Sequence, residues 1–167
     1  RIRAGELVGP RIFSVGPTMD SPPTARPQSA LVVNSPDEAR REAKRLIEEE
    51  HVDALFAARR INADFLRAIL EVAHSYGKPV TGQVFELNGR QAAEIGIDGL
   101  ENTSRIPESP VLDHQTLHGY RSASHRLAMM GRLWATAPDS IMQETLGIMA
   151  DHQVDWAPGL VSFEHWA

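Results

Sequence analysis

The side chains best suited to chemistry in this chain are few and widely spaced. Arg59 and Arg60 follow an apolar run at 52–58, where a strand would end, and guanidinium groups there could hold an anionic substrate such as a carboxylate. The plainer reading is a pair of solvated loop arginines. Glu101 closes a second apolar run and could serve as an acid or base, or simply be hydrogen-bonded. His114 and His118 are four apart, so a helix would set both on one face and they could bind zinc. Their surroundings read as loop, however, and no carboxylate follows at a recognised spacing. His74, His125 and His152 fall on helix faces or ends, where packed or solvated imidazoles are expected. Trp134, Trp156 and Trp166 with Phe163 could line a cavity, although tryptophan near element ends more often packs. Met129, Met130, Met142 and Met149 read as core filler.

Alternating strands and helices would have to position these groups. Ser35-Pro36-Asp37-Glu38 is a helix start, with Ser35 as N-cap, Pro36 at the first helical position and Glu38 where a capping box wants an acid. Ala39, Ala43, Leu46 and Ile47 then recur at helical spacing. Glu48, Glu49 and Glu50 oppose the helix dipole, so the end is expected to fray. The run 52–58 reads as a strand buried on both faces. Asn62 caps a second helix, with Phe65, Ile69, Val72, Ala73 and Tyr76 on one face and Gly77 as its stop. A strand over 79–85, a short helix over 90–95 ending at Gly96, and a strand over 97–101 come next. Further helices are expected over 124–136 and from Asp139 or Ser140 as cap, the latter with Met142, Leu146 and Met149 on one face. A strand over 154–161 follows. The stretches 17–30 and 103–119 are rich in Pro, Ser, Thr and His and read as loops. This alternation predicts βαβ units and a parallel sheet with neighbouring strands in sequence order.

With 167 residues, 42% hydrophobic and 23% charged, the chain has ordinary globular composition. A net charge of −5 without a basic run gives no reason to expect nucleic acid as a partner. No apolar stretch approaches the roughly 20 residues of a membrane span, so no membrane partner is expected. Zero cysteines exclude disulfides, thiolate metal sites and a cysteine nucleophile in these residues, and fit a cytoplasmic protein. A closed eight-stranded α/β barrel takes about 250 residues. The chain opens on Arg1 and stops on Trp166-Ala167 just after an apolar run, so both ends look cut and the expectation is one segment, 1–167, of a longer domain.

Four segments together resemble one family. Gly5-Glu6-Leu7-Val8-Gly9-Pro10-Arg11-Ile12-Phe13 resembles a GxxxGPR motif leading into an early barrel strand. His74-Ser75-Tyr76-Gly77-Lys78-Pro79-Val80-Thr81-Gly82-Gln83 is similar to AHxxGxxVTGH, and Ala92-Ala93-Glu94-Ile95-Gly96-Ile97-Asp98-Gly99-Leu100-Glu101-Asn102 to AxxxGIDxLEH. Val154-Asp155-Trp156-Ala157-Pro158-Gly159-Leu160 is similar to a later VxxxPTL strand. In order and spacing these are the marks of imidazolonepropionase-like proteins of the amidohydrolase superfamily. The resemblance implies an α/β fold, a partial (β/α)8 TIM-type barrel seen from roughly its third strand to its seventh. It also implies a metal-dependent hydrolase of non-peptide carbon–nitrogen bonds, whose metals are held by histidines, a carboxylated lysine and an aspartate.

This sequence departs from that ligand pattern wherever the two can be compared. Phe56 stands at the lysine position, and Gln83 and Asn102 at those of the two later histidines. Phenylalanine offers no donor, and amide oxygens hold transition metals far more weakly than imidazole does. No cofactor is therefore expected within the segment; a divalent metal such as zinc would need ligands from elsewhere in a longer protein. Gln83 and Asn102 either hydrogen-bond a ligand in a retained pocket or merely satisfy each other. The substrate-binding candidates are thus Gln83, Asn102, Glu101, Arg59 and Arg60, with no confident catalytic residue. Two function classes stay open: a divergent hydrolase of carbon–nitrogen bonds, and a catalytically silent barrel that binds a small molecule or a partner. A part-barrel alone would expose sheet edges, so a homo-oligomer is also expected.

Overall fold

The computed structural model describes residues 2, 4–23, 28–102, 131 and 134–159. The loop expected over 103–119 with His114 and His118, most of the helix expected over 124–136, and His125, Met129, Met130, Phe163 and Trp166 lie outside the described residues. The elements run β1 (Thr18–Asp20), β2 (Ala30–Val32), α1 (Pro36–Glu48), β3 (Leu55–Ala57) and α2 (Ala63–Ser75). They continue with β4 (Val80–Gly82), α3 (Gly89–Ile95), β5 (Gly99–Glu101), α4 (Asp139–Asp151) and β6 (Asp155–Ala157).

All strand pairs are parallel, in the order β2-β1-β3-β4-β5-β6. From β3 to β6 the strands lie side by side in sequence order, as βαβ units require. The first pair corrects the reading of 17–30 as loop. Thr18, Met19 and Asp20 form β1, and the chain returns to lay β2 on its outer side, pairing Met19 with Leu31. Three residues flanked by Pro17, Pro22 and Pro23 are too few to show a period of two, which hid β1 in a proline-rich stretch. Residues 11–16 form no strand, although the resemblance set Ile12 and Phe13 near a barrel strand; both side chains are exposed.

The helix signals act where the sequence places them. Ser35 Oγ accepts from the Glu38 amide at 3.1 Å, and Asn62 Oδ1 accepts from the Asp64 and Phe65 amides at 3.0 and 3.2 Å. Gly77 and Gly96 turn left-handed after α2 and α3, at φ 63° and 105°. At the acidic end of α1, Arg45 pairs with Glu42 at 2.8 Å and Glu50 at 2.6 Å. The fourth helix differs in its cap. Pro138 takes the N-cap with no side-chain bond, and Asp139 is already helical. Its buried face carries Thr145 and Met149, while Leu146 points outward. In α2 the buried arc is broader than expected, with Leu66, Ala68, Ile69, Leu70 and Ala73 inside and Tyr76 exposed, because the helix packs on both the sheet and α1.

Glu38 closes a wider loop than a capping box. Its carboxylate accepts from the Asn34 backbone amide at 2.7 Å and the Asn34 side chain at 3.2 Å. The backbone bond, then the side-chain bond, hold its pKa below the ordinary 4.5. A depressed folded pKa means the stabilisation exists above the unfolded value and is lost as pH falls through the folded one. Glu38→Gln should therefore lower the thermal midpoint slightly at pH 7, with the gap from wild type closing as pH falls below the ordinary 4.5 and through the lowered folded pKa. An equal gap at pH 7 and pH 3 in thermal melts would contradict this.

In a parallel ladder, paired residues point to the same side of the sheet. The registers put Met19, Leu55, Ala57, Val80, Gly82 and Leu100 on one face, all buried against the helices. Full burial of Leu55 and of Leu46 and Ile69 in the facing helices contributes about 1.5–3 kcal/mol each. Phe56, Thr81, Gly99, Glu101, Asp155 and Ala157 line the opposite face. There Phe56, Thr81 and Glu101 are half-buried, and Asp155 and Ala157 are exposed. This is the face that would turn inward in a closed barrel.

Candidate functional site

Because every strand runs the same way, all strand C-termini meet at one end of the sheet. Gln83, Asn102, Arg59 and Arg60 leave their strands there, and Glu101 is the last residue of β5. The backbone fixes these exits tightly. The Ala58 amide donates to Met19 O at 2.8 Å, that of Gln83 to Ala57 O at 3.0 Å, that of Phe85 to Arg59 O at 3.1 Å, and that of Asn102 to Ala157 O at 2.7 Å. Hydrogen bonding thus carries strand-like order past the end of these strands into the candidate residues.

The two arginines, adjacent in sequence, have different surroundings. Arg60 is locked in place. Its backbone amide donates to Asp20 Oδ1 at 2.8 Å, its carbonyl accepts from Ser21 Oγ at 2.6 Å, and its guanidinium pairs with Glu86 at 3.0 Å. Both partners of that ion pair are largely covered, at 29% and 18% side-chain exposure, so it is less screened than a surface pair. Arg59 is exposed. Its guanidinium carbon lies 4.8 Å over the Phe85 ring, and its Nε donates to Gln83 Oε1 at 3.4 Å. The structure therefore joins Arg59 to Gln83 through a contact between strand ends that are 24 residues apart.

Glu101 and Asn102 are held separately. Thr81 Oγ1 donates to Glu101 Oε1 at 3.3 Å across the inner face. Asn102 takes a left-handed backbone at φ 66°, a conformation asparagine enters more readily than most residues. Its carbonyl accepts from Trp156 Nε1 at 2.8 Å. Its side chain lies against Gly159, where a Cβ would come within 2.8 Å of Asn102 Oδ1. Trp156 stacks on Trp134 at 5.6 Å and 4°, and both rings pack on the core, so these tryptophans serve packing. His74 Nε2 contacts Asp98 Oδ2 at 2.9 Å; Asp98 precedes β5, which sets the pair at the opposite, N-terminal end of the sheet.

Sequence reasoning missed Asp20, Ser21, Phe85 and Glu86. Asp20 is 6% exposed, and its Oδ1 takes two backbone amides, those of Ser21 at 3.0 Å and Arg60 at 2.8 Å. A lone acid before two prolines carries no local sign of that role; only its distance from Arg60 in the folded chain does.

The donor set does not fit a metal centre of the kind the resemblance implies. Phe56 presents a ring, and the Gln83 amide oxygen accepts from Arg59. Among the described residues, no three His, Cys, Asp or Glu side chains come together in a way that could hold a metal ion. Also among these residues, no helix is long and apolar enough to cross a membrane.

No protein-family model matches the chain, and no curated protein sequence does. Solved structures do resemble it. One, described as a prolidase from Bifidobacterium longum, superposes with a TM-score of 0.54 at 22% identity, over 89% of this chain and 42% of that one. A bottromycin amidohydrolase gives 0.56 at 13% identity, over 98% and 51%. The ochratoxinase of A. niger gives 0.51 at 13%, over 94% and 48%. The chain thus spans about half the length of the structures it resembles, and it shares with them a parallel α/β fold that corresponds to part of a barrel.

Proposed function

We propose that this part of an amidohydrolase-type barrel forms the substrate-facing wall of a hydrolase acting on a carbon–nitrogen bond of a small molecule. The observation that carries the reading is that the Arg59–Gln83 contact, Glu101 and Asn102 all lie at the C-terminal strand ends, where α/β barrels meet their substrates. The structural neighbours support hydrolysis: they include a Xaa-Pro dipeptidase with methionine bound in its active site and an ochratoxinase. In this reading the wall binds and orients the substrate by charge and hydrogen bonding. Arg59 and Gln83 present donors at one strand end, and Glu101 presents a carboxylate on the inner face. Arg60, tied to Asp20, Ser21 and Glu86, holds the loop that carries Arg59.

A second reading, a silent barrel that binds a ligand without turning it over, is favoured by Phe56, Gln83 and Asn102 at the positions where the resemblance implies metal ligands. Both are tested on the full-length protein purified without chelators. Elemental analysis is paired with an assay for amine release from N-acyl amino acids, simple amides and lactams. Bound zinc, manganese or iron with chelator-sensitive release is the outcome expected of the hydrolase. A folded, metal-free protein with no release from any of these substrates would overturn that reading in favour of the silent barrel.

A further inference from the structure

We infer that Arg59, set over Phe85 and beside Gln83, recognises a carboxylate group of the small molecule that this wall binds; this rests on the substrate-facing reading above. Three features of the molecule point to it.

The first is placement. Arg59 lies two residues past the end of β3 and Gln83 one residue past the end of β4, on neighbouring strands because Leu55, Phe56 and Ala57 pair with Val80, Thr81 and Gly82. The two side chains therefore stand on adjacent strands at the barrel end where substrate is met. The second is presentation. An arginine side chain in water samples many rotamers and forfeits that freedom when it grips a ligand. Here the Phe85 ring at 4.8 Å and the Gln83 oxygen at 3.4 Å already restrict the guanidinium, and the Phe85 amide bonded to Arg59 O ties the ring's backbone to the arginine's own. A restricted guanidinium loses less on binding, and its planar fork of donors matches the two oxygens of a carboxylate.

The third is exposure. Arg59 stands exposed at the tip of a loop that Arg60 fixes through Glu86 at 3.0 Å, Asp20 and Ser21. Packing on Phe85 also covers part of the guanidinium and leaves it less hydrated than a free surface charge, which strengthens its bonds to an anion.

The test uses N-acetyl-L-methionine and its carboxamide, two probes that differ only in the carboxylate, titrated calorimetrically into the full-length protein. The carboxylate should bind about 10- to 100-fold more tightly, the range expected for charge-assisted hydrogen bonds. Arg59→Met should abolish that preference without changing the melting temperature, and Arg59→Lys should keep only part of it. Phe85→Leu should reduce it, because the guanidinium loses its support. Arg67→Met, which removes an equal charge from the exposed surface of α2, should leave it intact. Equal affinity for the two probes, no binding of either, or a preference that survives Arg59→Met would overturn the inference. Acetate release, the product common to both probes, is followed in parallel and keeps the two proposals apart. Carboxylate-selective binding without release sustains Arg59 and counts against the hydrolase, whereas release from both probes at equal affinity does the reverse.

Discussion

Asp20→Ala should cost the protein about 2–4 kcal/mol of stability, the largest loss expected from any polar substitution at the strand ends. Asp20 is buried, and its Oδ1 accepts the backbone amides of both Ser21 and Arg60. Alanine would leave two covered amides without that acceptor, at about 1–3 kcal/mol for each group left unsatisfied. For a domain of this size, that shift corresponds to a melting temperature lower by roughly 4–16 °C. Asp20→Asn keeps an oxygen in the same place and should lose much less, since only the charge assistance goes. The comparison separates geometry from charge: equal losses in the two variants would show that charge, not the acceptor's position, is what matters. Because Arg60 is adjacent to Arg59, Asp20→Ala should also loosen the arginine tip and weaken carboxylate binding at temperatures where the protein is still folded.

Gly82→Ala should be comparably damaging for a different reason. A Cβ at Gly82 would stand 2.5 Å from Ala57 O and 3.2 Å from the Ala57 Cβ. Ala57 O cannot simply retreat, because it accepts the Gln83 amide at 3.0 Å and is part of a strand. The β3–β4 ladder would have to spread, at an overpacking cost of about 1–3 kcal/mol. The residue displaced most directly is Gln83, so its contact with Arg59 should be disturbed along with stability. Gly147 provides the control. It lies inside α4, and among the described residues nothing comes within 4 Å of where its Cβ would stand, so Gly147→Ala should raise stability by about 0.8–1 kcal/mol. Denaturant melts of both variants test the pair. A neutral Gly82→Ala would mean that the sheet can widen there without cost.

Much of the frame was legible because it rests on local chemistry. Ser35, Asn62, Gly77 and Gly96 set the ends of three helices through bonds and backbone angles that involve only near neighbours. The buried faces of α1 and α2 follow largely from apolar spacing, and the order β3 to β6 follows from the handedness of parallel crossovers. Where reading failed, the deciding interaction was distant or the element too short. Strand β1 has three residues and is defined by its partners Ala30, Leu31, Val32 and Ala57. Leu146 and Met149 look equivalent by spacing, yet only Met149 meets the core, because what α4 packs against selects its inner face.

The sequence by itself determined the class of fold, a parallel sheet alternating with helices, and the caps and stops that bound α1, α2 and α3. Those are statements about residue type, spacing and nearby backbone. Only the tertiary structure decided which of two adjacent arginines is braced and which is exposed. It alone showed that Asp20 holds the Arg60 backbone from 40 residues away, and that Phe56, Thr81 and Glu101 share the inner face. The physical reason is that caps and periodicity are set by bonds within a few residues. A strand-end site is built instead from side chains that meet only once several strands have paired in register.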